Sequence, residues 1–196
     1  MATSAREQYE ARLAGYGELV FMARAYQTIL ESFFLAGDPE TWRMLETYRA
    51  FFGPVARALT NDMFLHAASA VDRDTRTASL PNLLRAARES PEFAPGADVR
   101  GMEEWLSGWE ELRTNLRALR DKRLAHFDAG DLRETIELRL GINYGAFRVF
   151  LEDLHRHHVT LLRALDGHAD AADPAPEARA HSSRLRRTLL GDPDGP

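Results

Sequence analysis

The chain has 196 residues, a length that suits one domain, and it is 44% hydrophobic and 28% charged, as soluble globular proteins are. Its formal net charge of −5 argues against a protein that coats nucleic acid over its whole surface. The absence of cysteine excludes disulfides, thiolate zinc sites and cysteine nucleophiles, and no stretch resembles a secretory signal or a membrane span, so we predict a cytoplasmic protein with no membrane partner.

Helical spacing of apolar residues dominates the first half of the chain, and alternating strand patterns are nearly absent. A first helix is predicted over about residues 4–35. A second begins with Asp38 as its N-cap and Pro39 in its first turn. Gly53 and Pro54 are expected to kink or restart this helix, which then continues to about residue 72. A polar connection and a short helix over about residues 80–88 follow.

Two further long helices are predicted, over about residues 99–127, with Trp105 and Trp109 in the apolar stripe, and over about residues 142–165. Between them, Asp131 and Glu134 have the spacing of a capping box. Residues 168–196 lose aromatics and gain prolines, which predicts a disordered tail with at most a short helix near residues 184–190. We therefore predict an all-α domain over residues 1–167, an up-and-down bundle of about four long helices with one short extra helix.

Positive charge is concentrated near the end of the helix predicted at residues 99–127, where the sequence reads "RALRDKRLAHFD". Arg113, Arg117 and Arg120 fall in one row on a helix, at steps of four and three. Lys122 and Arg123 follow, and His126 closes the run. Cations near a helix C-terminus also complement the helix dipole, so a solvated face with a core histidine is the alternative interpretation.

These residue types suit the cleavage of RNA without a metal. That reaction needs a base for the 2′-hydroxyl proton, an acid for the leaving oxygen and fixed positive charge on the phosphate. Histidine exchanges protons near neutral pH, and arginine stays charged and offers a planar fork of donors. The pattern of residues alone leaves both interpretations of this run open.

The stretch "LRALRDKRLAHFD" resembles the Arg-x(4–6)-His signature of the HEPN superfamily, because five residues separate Arg120 from His126 and the polar Asp121 follows the arginine. Over about residues 5–165 the chain is similar to the abortive-infection AbiU-type branch. The similarity includes two long helices, an Asp-containing turn, a short "SLPNLL" helix and a final amphipathic helix. The resemblance implies a homodimer in whose cleft two such motifs meet, with Arg120 and His126 catalytic and Asp121 as a supporting residue.

The resemblance further implies a metal-independent ribonuclease, without a cofactor, that acts as a toxin or in phage defence. Its partners would be RNA, a second copy of the chain, and a cognate antitoxin or a nucleotidyltransferase-like protein. Two alternatives stay open: a HEPN-like dimer that binds nucleotide or protein without cleaving, and a helical scaffold whose basic helix is only solvated. The candidate RNA-binding residues are Arg113, Arg117, Lys122 and Arg123.

Two other features have simpler interpretations. In "LEDLHRHH", Glu152 and His155 have the spacing of a carboxylate-bridged metal motif, but the sequence holds no second copy to complete such a site. We therefore favour a solvated helix face and predict no metal site. The small basic patch "SRLRR" near the end of the chain is not specific for RNA or for a protein partner.

Overall fold

The computed structural model describes residues 4–121, 141, 143–167 and 171–191, with Asp121 described by its backbone alone. Within these residues the protein is all helical, which confirms the predicted all-α bundle. The α-helices are α1 (Ala5–Ile29), α2 (Pro39–Thr47), α3 (Arg49–Ala70), α4 (Leu80–Glu89), α5 (Val99–Gly108), α6 (Glu110–Asp121), α7 (Tyr144–Leu165) and α8 (Ala175–Leu190). Of the described helices, none is both long and apolar enough to cross a membrane.

Helix α1 is the central element of the bundle and packs against α3, α4, α7 and α8. Its buried side chains recur at steps of three and four, as the amphipathic pattern predicts. Tyr16 is fully buried and its hydroxyl donates a 3.0 Å hydrogen bond to the carbonyl of Leu154 on α7. Burial raises the pKa of Tyr16 well above its ordinary value, so the phenol remains a donor at all ordinary pH values.

The start of α2 follows the predicted capping. The carboxylate of Asp38 accepts a 2.8 Å hydrogen bond from the backbone N–H of Thr41, and Pro39 occupies the first turn, where its missing N–H costs nothing. Of the kink or restart predicted at Gly53 and Pro54, the restart is not seen, because one helix runs through both residues. The chain leaves helical geometry earlier, at Tyr48 (φ −109°, ψ 31°), and α3 carries Pro54 inside it. Residues 49–53 are helical directly before Pro54, so the break lies beyond the turn that the proline itself disfavours.

The helix predicted over residues 99–127 is divided in the structure. Helix α5 ends at Gly108, Trp109 adopts a non-helical conformation (φ −104°, ψ 20°), and α6 then begins at Glu110. Glycine is a weak helix former, and the break directs the Trp109 ring onto Phe150 of α7, with 5.4 Å between ring centroids. The arginine row therefore belongs to a separate helix, α6, which packs against α3.

Residues 175–190 differ from the predicted disordered tail, because they form helix α8 against α1. Pro174 is the N-cap and Pro176 lies in the first turn, and Ala175 and Ser182 are buried. An ion pair between Arg24 of α1 and Asp173, just before α8, fastens the helix to the bundle. Because the segment has few apolar residues, its composition does not reveal that an ion pair holds it against α1.

Residues 168–170 and 192–196, and the capping box predicted at Asp131 and Glu134, lie outside the described residues.

Candidate functional site

The arginine row lies on α6, at the predicted steps of four and three. The apolar side of α6 faces the core, where Leu112 and Leu116 are buried. Exposure divides the row into two parts. The Arg113 side chain is 7% exposed, whereas those of Arg117 and Arg120 are 50% and 30% exposed. The last two arginines are therefore the ones that a ligand in solvent can reach.

Both accessible arginines meet one carboxylate from another element. Asp72 follows the end of α3, and its Oδ2 lies 2.5 Å from Nη1 of Arg120, while Oδ1 lies 3.7 Å from Nη2 of Arg117. The Asp72 side chain is only 6% exposed. This contact joins residues that are 48 positions apart in the sequence. It links the end of α3 to the arginine row.

The turn between α3 and α4 holds Asp72 in place. The Ser79 hydroxyl donates a 2.6 Å hydrogen bond to the carbonyl of Asp72, and the backbone N–H of Asp74 donates to Oδ1 of Asp72 at 3.3 Å. The Asn82 amide, at the start of α4, donates to the carbonyls of Asp74 and Thr77 at 2.6 and 2.9 Å. Ser79 and Asn82 are themselves buried, so the turn is built into the core.

Arg113 has a different setting from the other two arginines. Its Nη1 donates a 2.8 Å hydrogen bond to Glu110, and its Nη2 donates at 3.3 Å to the carbonyl of Val71. Glu110 is also paired with Arg73 at 2.9 Å. These contacts connect α6 to the end of α3. The guanidinium of Arg113 is thus used inside the protein, beneath the accessible arginines.

Together these side chains line a small depression, which we call the Asp72 cleft. Its charged residues are Asp72, Arg73, Glu110, Arg113, Arg117 and Arg120. The free volume is about 20 Å³, enough for about one water molecule. Four arginines and two carboxylates give the cleft an excess of positive charge. Its chemistry favours an anion.

Asp72 is ionised in this setting. Burial raises the pKa of its carboxyl, but the hydrogen bond from Arg120, the backbone N–H of Asp74 and the positive charge of Arg120 outweigh burial, so the pKa lies below its ordinary value. The cleft at neutral pH therefore contains a buried carboxylate held between two guanidinium groups.

A comparison of the sequence with models of protein families gives a match over most of the chain. Residues 7–185 match the model of the AbiU2 family of HEPN domains. The chain belongs to that family. The resemblance seen in the sequence is thereby confirmed, and the match includes most of α8 as well as the bundle. Neither curated proteins nor solved structures gave a match.

Of the predicted site residues of this AbiU2-family chain, the structure brings three together. Arg113, Arg117 and Arg120 all line the Asp72 cleft, and α6 includes the backbone of Asp121. His126, Lys122 and Arg123, and the side chain of Asp121, lie outside the described residues. The catalytic role of Arg120, His126 and Asp121 and the RNA-binding role of the others stay predictions.

The histidines on α7 serve the packing of the bundle. The His157 ring lies 4.5 Å from that of Trp105, between ring centroids, and the His158 ring lies 5.8 Å from that of Tyr16. Glu152, the carboxylate of the "LEDLHRHH" motif, lies 3.8 Å from Arg148 on the same helix. In the described part of the chain, no group of three or more histidine and acidic side chains could hold a metal ion.

The sequence did not identify Asp72 and Glu110 as parts of the site. Asp72 was visible only as an acidic residue in the turn that contributes to the family resemblance. Its partner Arg120 is 48 residues away, and nothing in the local pattern joins them. The available signal was the density of Asp, Ser, Thr and Asn in residues 72–82, which is typical of a turn fixed by its own side chains.

Proposed function

We propose that this AbiU2-family protein is a metal-independent endoribonuclease that acts as a homodimer, as a toxin or in phage defence. The observation that carries the proposal is the Asp72 cleft, where two accessible arginines meet at a buried carboxylate. Guanidinium groups gathered in this way suit the oxygens of a phosphodiester. In the sequence, His126 follows Arg120 by six residues.

The proposed reaction forms a bond between the 2′-oxygen and phosphorus and breaks the bond from phosphorus to the 5′-oxygen. A base takes the proton of the 2′-hydroxyl, and an acid gives a proton to the departing 5′-oxygen. The products are a 2′,3′-cyclic phosphate and a 5′-hydroxyl. Arg120 stabilises the negative charge that develops on the phosphate oxygens, and Arg117 helps to bind the same strand.

The homodimer follows from the number of histidines that the reaction requires. One motif supplies one His126, whereas the reaction needs both a base and an acid. A two-fold axis beside α6 would bring the second His126 to the same phosphate. Light scattering at micromolar concentration should give twice the mass of one chain, and a stable monomer would contradict the proposal. A cognate antitoxin or nucleotidyltransferase-like partner and a cytoplasmic location stay predictions.

One feature favours a second candidate, a HEPN-like module that binds nucleotide or a partner without cleaving RNA. The cleft has room for about one water molecule, and the accessible arginines of the row, Arg117 and Arg120, are already engaged by Asp72. A protein of this kind would bind RNA or nucleotide with no turnover.

The test is an RNA digest with purified wild type, His126→Ala and His181→Ala in the presence of EDTA. His181 is exposed on α8 and serves as the matched control. We expect wild type and His181→Ala to cleave at similar rates and His126→Ala to be inactive, with circular dichroism unchanged in all three. Equal cleavage by wild type and His126→Ala, or none by wild type, would count against the ribonuclease and favour the binding module.

A further inference from the structure

The Asp72 carboxylate occupies the position that an anionic ligand of the cleft would take. Its two oxygens face the two accessible arginines, at 2.5 Å from Arg120 and 3.7 Å from Arg117. Carboxylate and phosphate oxygens accept hydrogen bonds from a guanidinium in similar geometries. With this contact intact, the cleft has about 20 Å³ of free volume, room for about one water molecule.

Asp72 cannot easily leave this position. Its side chain is 6% exposed, and hydrogen bonds from Ser79 and from the backbone of Asp74 fix both its carbonyl and its carboxylate. Arg117 and Arg120, by contrast, have long side chains that are 50% and 30% exposed. Any exchange of partners at this contact therefore moves the arginines toward the ligand and leaves the carboxylate where it is.

The other carboxylate of the cleft does not take part in this exchange. Glu110 is paired with both Arg73 and Arg113, at 2.9 and 2.8 Å. Asp72 is thus the cleft carboxylate that engages Arg117 and Arg120, the two arginines proposed to bind RNA. A negative charge fixed against them must weaken the binding of every other anion at the same place.

We propose that Asp72 is the internal competitor of the substrate phosphate and determines the affinity of the site for RNA. A phosphate binds by taking Arg117 and Arg120 from the Asp72 carboxylate. This inference rests on the proposed ribonuclease site, but it concerns the strength of RNA binding and can fail separately from cleavage.

The experiment measures binding of a fluorescent single-stranded RNA in which every ribose carries a 2′-O-methyl group, so that the attacking hydroxyl is blocked. Fluorescence anisotropy with the full chain gives the Kd over a range of salt concentrations. We expect Asp72→Asn to lower the Kd by about threefold to tenfold, the size of one partly exposed ion pair. The slope of log Kd against log salt should steepen by about 0.7, because the cleft then presents one more uncompensated positive charge to the single strand.

Asp74→Asn is the matched control, because it removes the same charge two residues away. The Asp74 carboxylate pairs with Arg76 at 2.6 Å, whereas Arg120 acts on it only through its charge. Its removal should change the Kd by less than about twofold, since exposed charges are screened by salt. If Asp74→Asn tightens binding as much as Asp72→Asn, the effect is one of net charge and the proposal is overturned. Equal or weaker binding by a folded Asp72→Asn overturns it as well.

A second variant covers the case in which Asp72→Asn does not fold. Asp72→Ser keeps an oxygen that can accept the N–H of Asp74 and removes the charge, and the same tightening is expected. The two proposals also separate cleanly. Tighter binding by these variants without any cleavage of ordinary RNA supports the competitor and contradicts the ribonuclease. Cleavage of ordinary RNA with unchanged binding by the variants supports the ribonuclease and contradicts the competitor. If neither wild type nor any variant binds RNA, both proposals are overturned.

Discussion

Two of the arginine–aspartate pairs that join distant parts of this protein differ in which partner is buried. In the pair of Arg24 and Asp173, the arginine side chain is 10% exposed and the aspartate 36%. In the pair of Arg120 and Asp72 the order is reversed, with the arginine 30% exposed and the aspartate 6%. The first pair fastens α8 to α1, and the second lies in the Asp72 cleft.

The difference indicates how each pair can be used. The Arg24 guanidinium donates three hydrogen bonds to Asp173, at 2.9 to 3.1 Å, and solvent barely reaches it. A ligand could contact only Asp173 of this pair. The pair therefore has a structural role, and we call it the α1–α8 clasp. In the cleft, a ligand meets the arginines while the carboxylate stays behind them. An arginine–aspartate pair therefore holds two helices together at Arg24 and Asp173, whereas at Arg120 and Asp72 it leaves the guanidinium available to an anion.

The largest expected effect is that of replacing each arginine by lysine. Arg120→Lys keeps the charge but loses the planar fork, and we expect RNA cleavage to fall by about 100-fold or more. Arg24→Lys should leave the cleavage rate near that of wild type and lower the melting temperature. Initial rates and thermal melts of both variants test the comparison. The proposed difference between the two ion pairs is wrong if Arg24→Lys loses RNA cleavage and Arg120→Lys keeps it.

A smaller effect is expected from removing the aspartate of the clasp. Asp173→Asn leaves the buried guanidinium of Arg24 without a counter-charge, and we expect the free energy of unfolding to fall by about 1–3 kcal/mol. The double variant Arg24→Met/Asp173→Asn should recover part of this loss, because no unpaired charge is then buried. Urea unfolding provides the measurement. Unchanged stability of Asp173→Asn would mean that α8 is not held by this pair.

The smallest expected effect is a loss of stability in mild acid. It arises at the contact between α1 and α7 and does not involve the Asp72 cleft. Burial, and then the charge of His155, lower the pKa of His158 to about 4. The unfolded chain protonates His158 near its ordinary pKa of about 6.5, so the folded state loses stability as pH falls from there to about 4. His158→Gln should reduce the fall in melting temperature over this range but not abolish it, because burial also lowers the pKa values of His155 and His157. RNA binding at the Asp72 cleft should not follow the same titration, since the pKa of Asp72 lies below its ordinary value and the carboxylate stays mostly ionised over this range.

Local signals predicted much of the fold. The cap at Asp38 and Pro39 and the row of arginines on α6 each depend on neighbours within a few residues, and each lies where the sequence predicts it. Helix breaks were harder to locate, because the break at Tyr48 lies six residues before Pro54 and the break at Trp109 also brings its ring against Phe150.

Contacts between distant residues could not be predicted from one sequence. The partner of Arg120 is 48 residues away, and that of Arg24 is 149 residues away. Composition alone made the segment that contains Asp173 resemble a disordered tail. Each missing contact is an ion pair, whose partners carry no periodic signal. The helices were therefore predictable, whereas the carboxylate that completes the candidate site was not.

The central claim is that the arginines of the Asp72 cleft act on an RNA phosphate that the neighbouring 2′-hydroxyl attacks. The most direct measurement compares an RNA oligonucleotide with the same oligonucleotide carrying one 2′-deoxy residue at the mapped cleavage position, both digested in EDTA. We expect cleavage of the first with 2′,3′-cyclic phosphate ends, and no cleavage at that position in the second. Cleavage of the deoxy-substituted position at the same rate would contradict the claim.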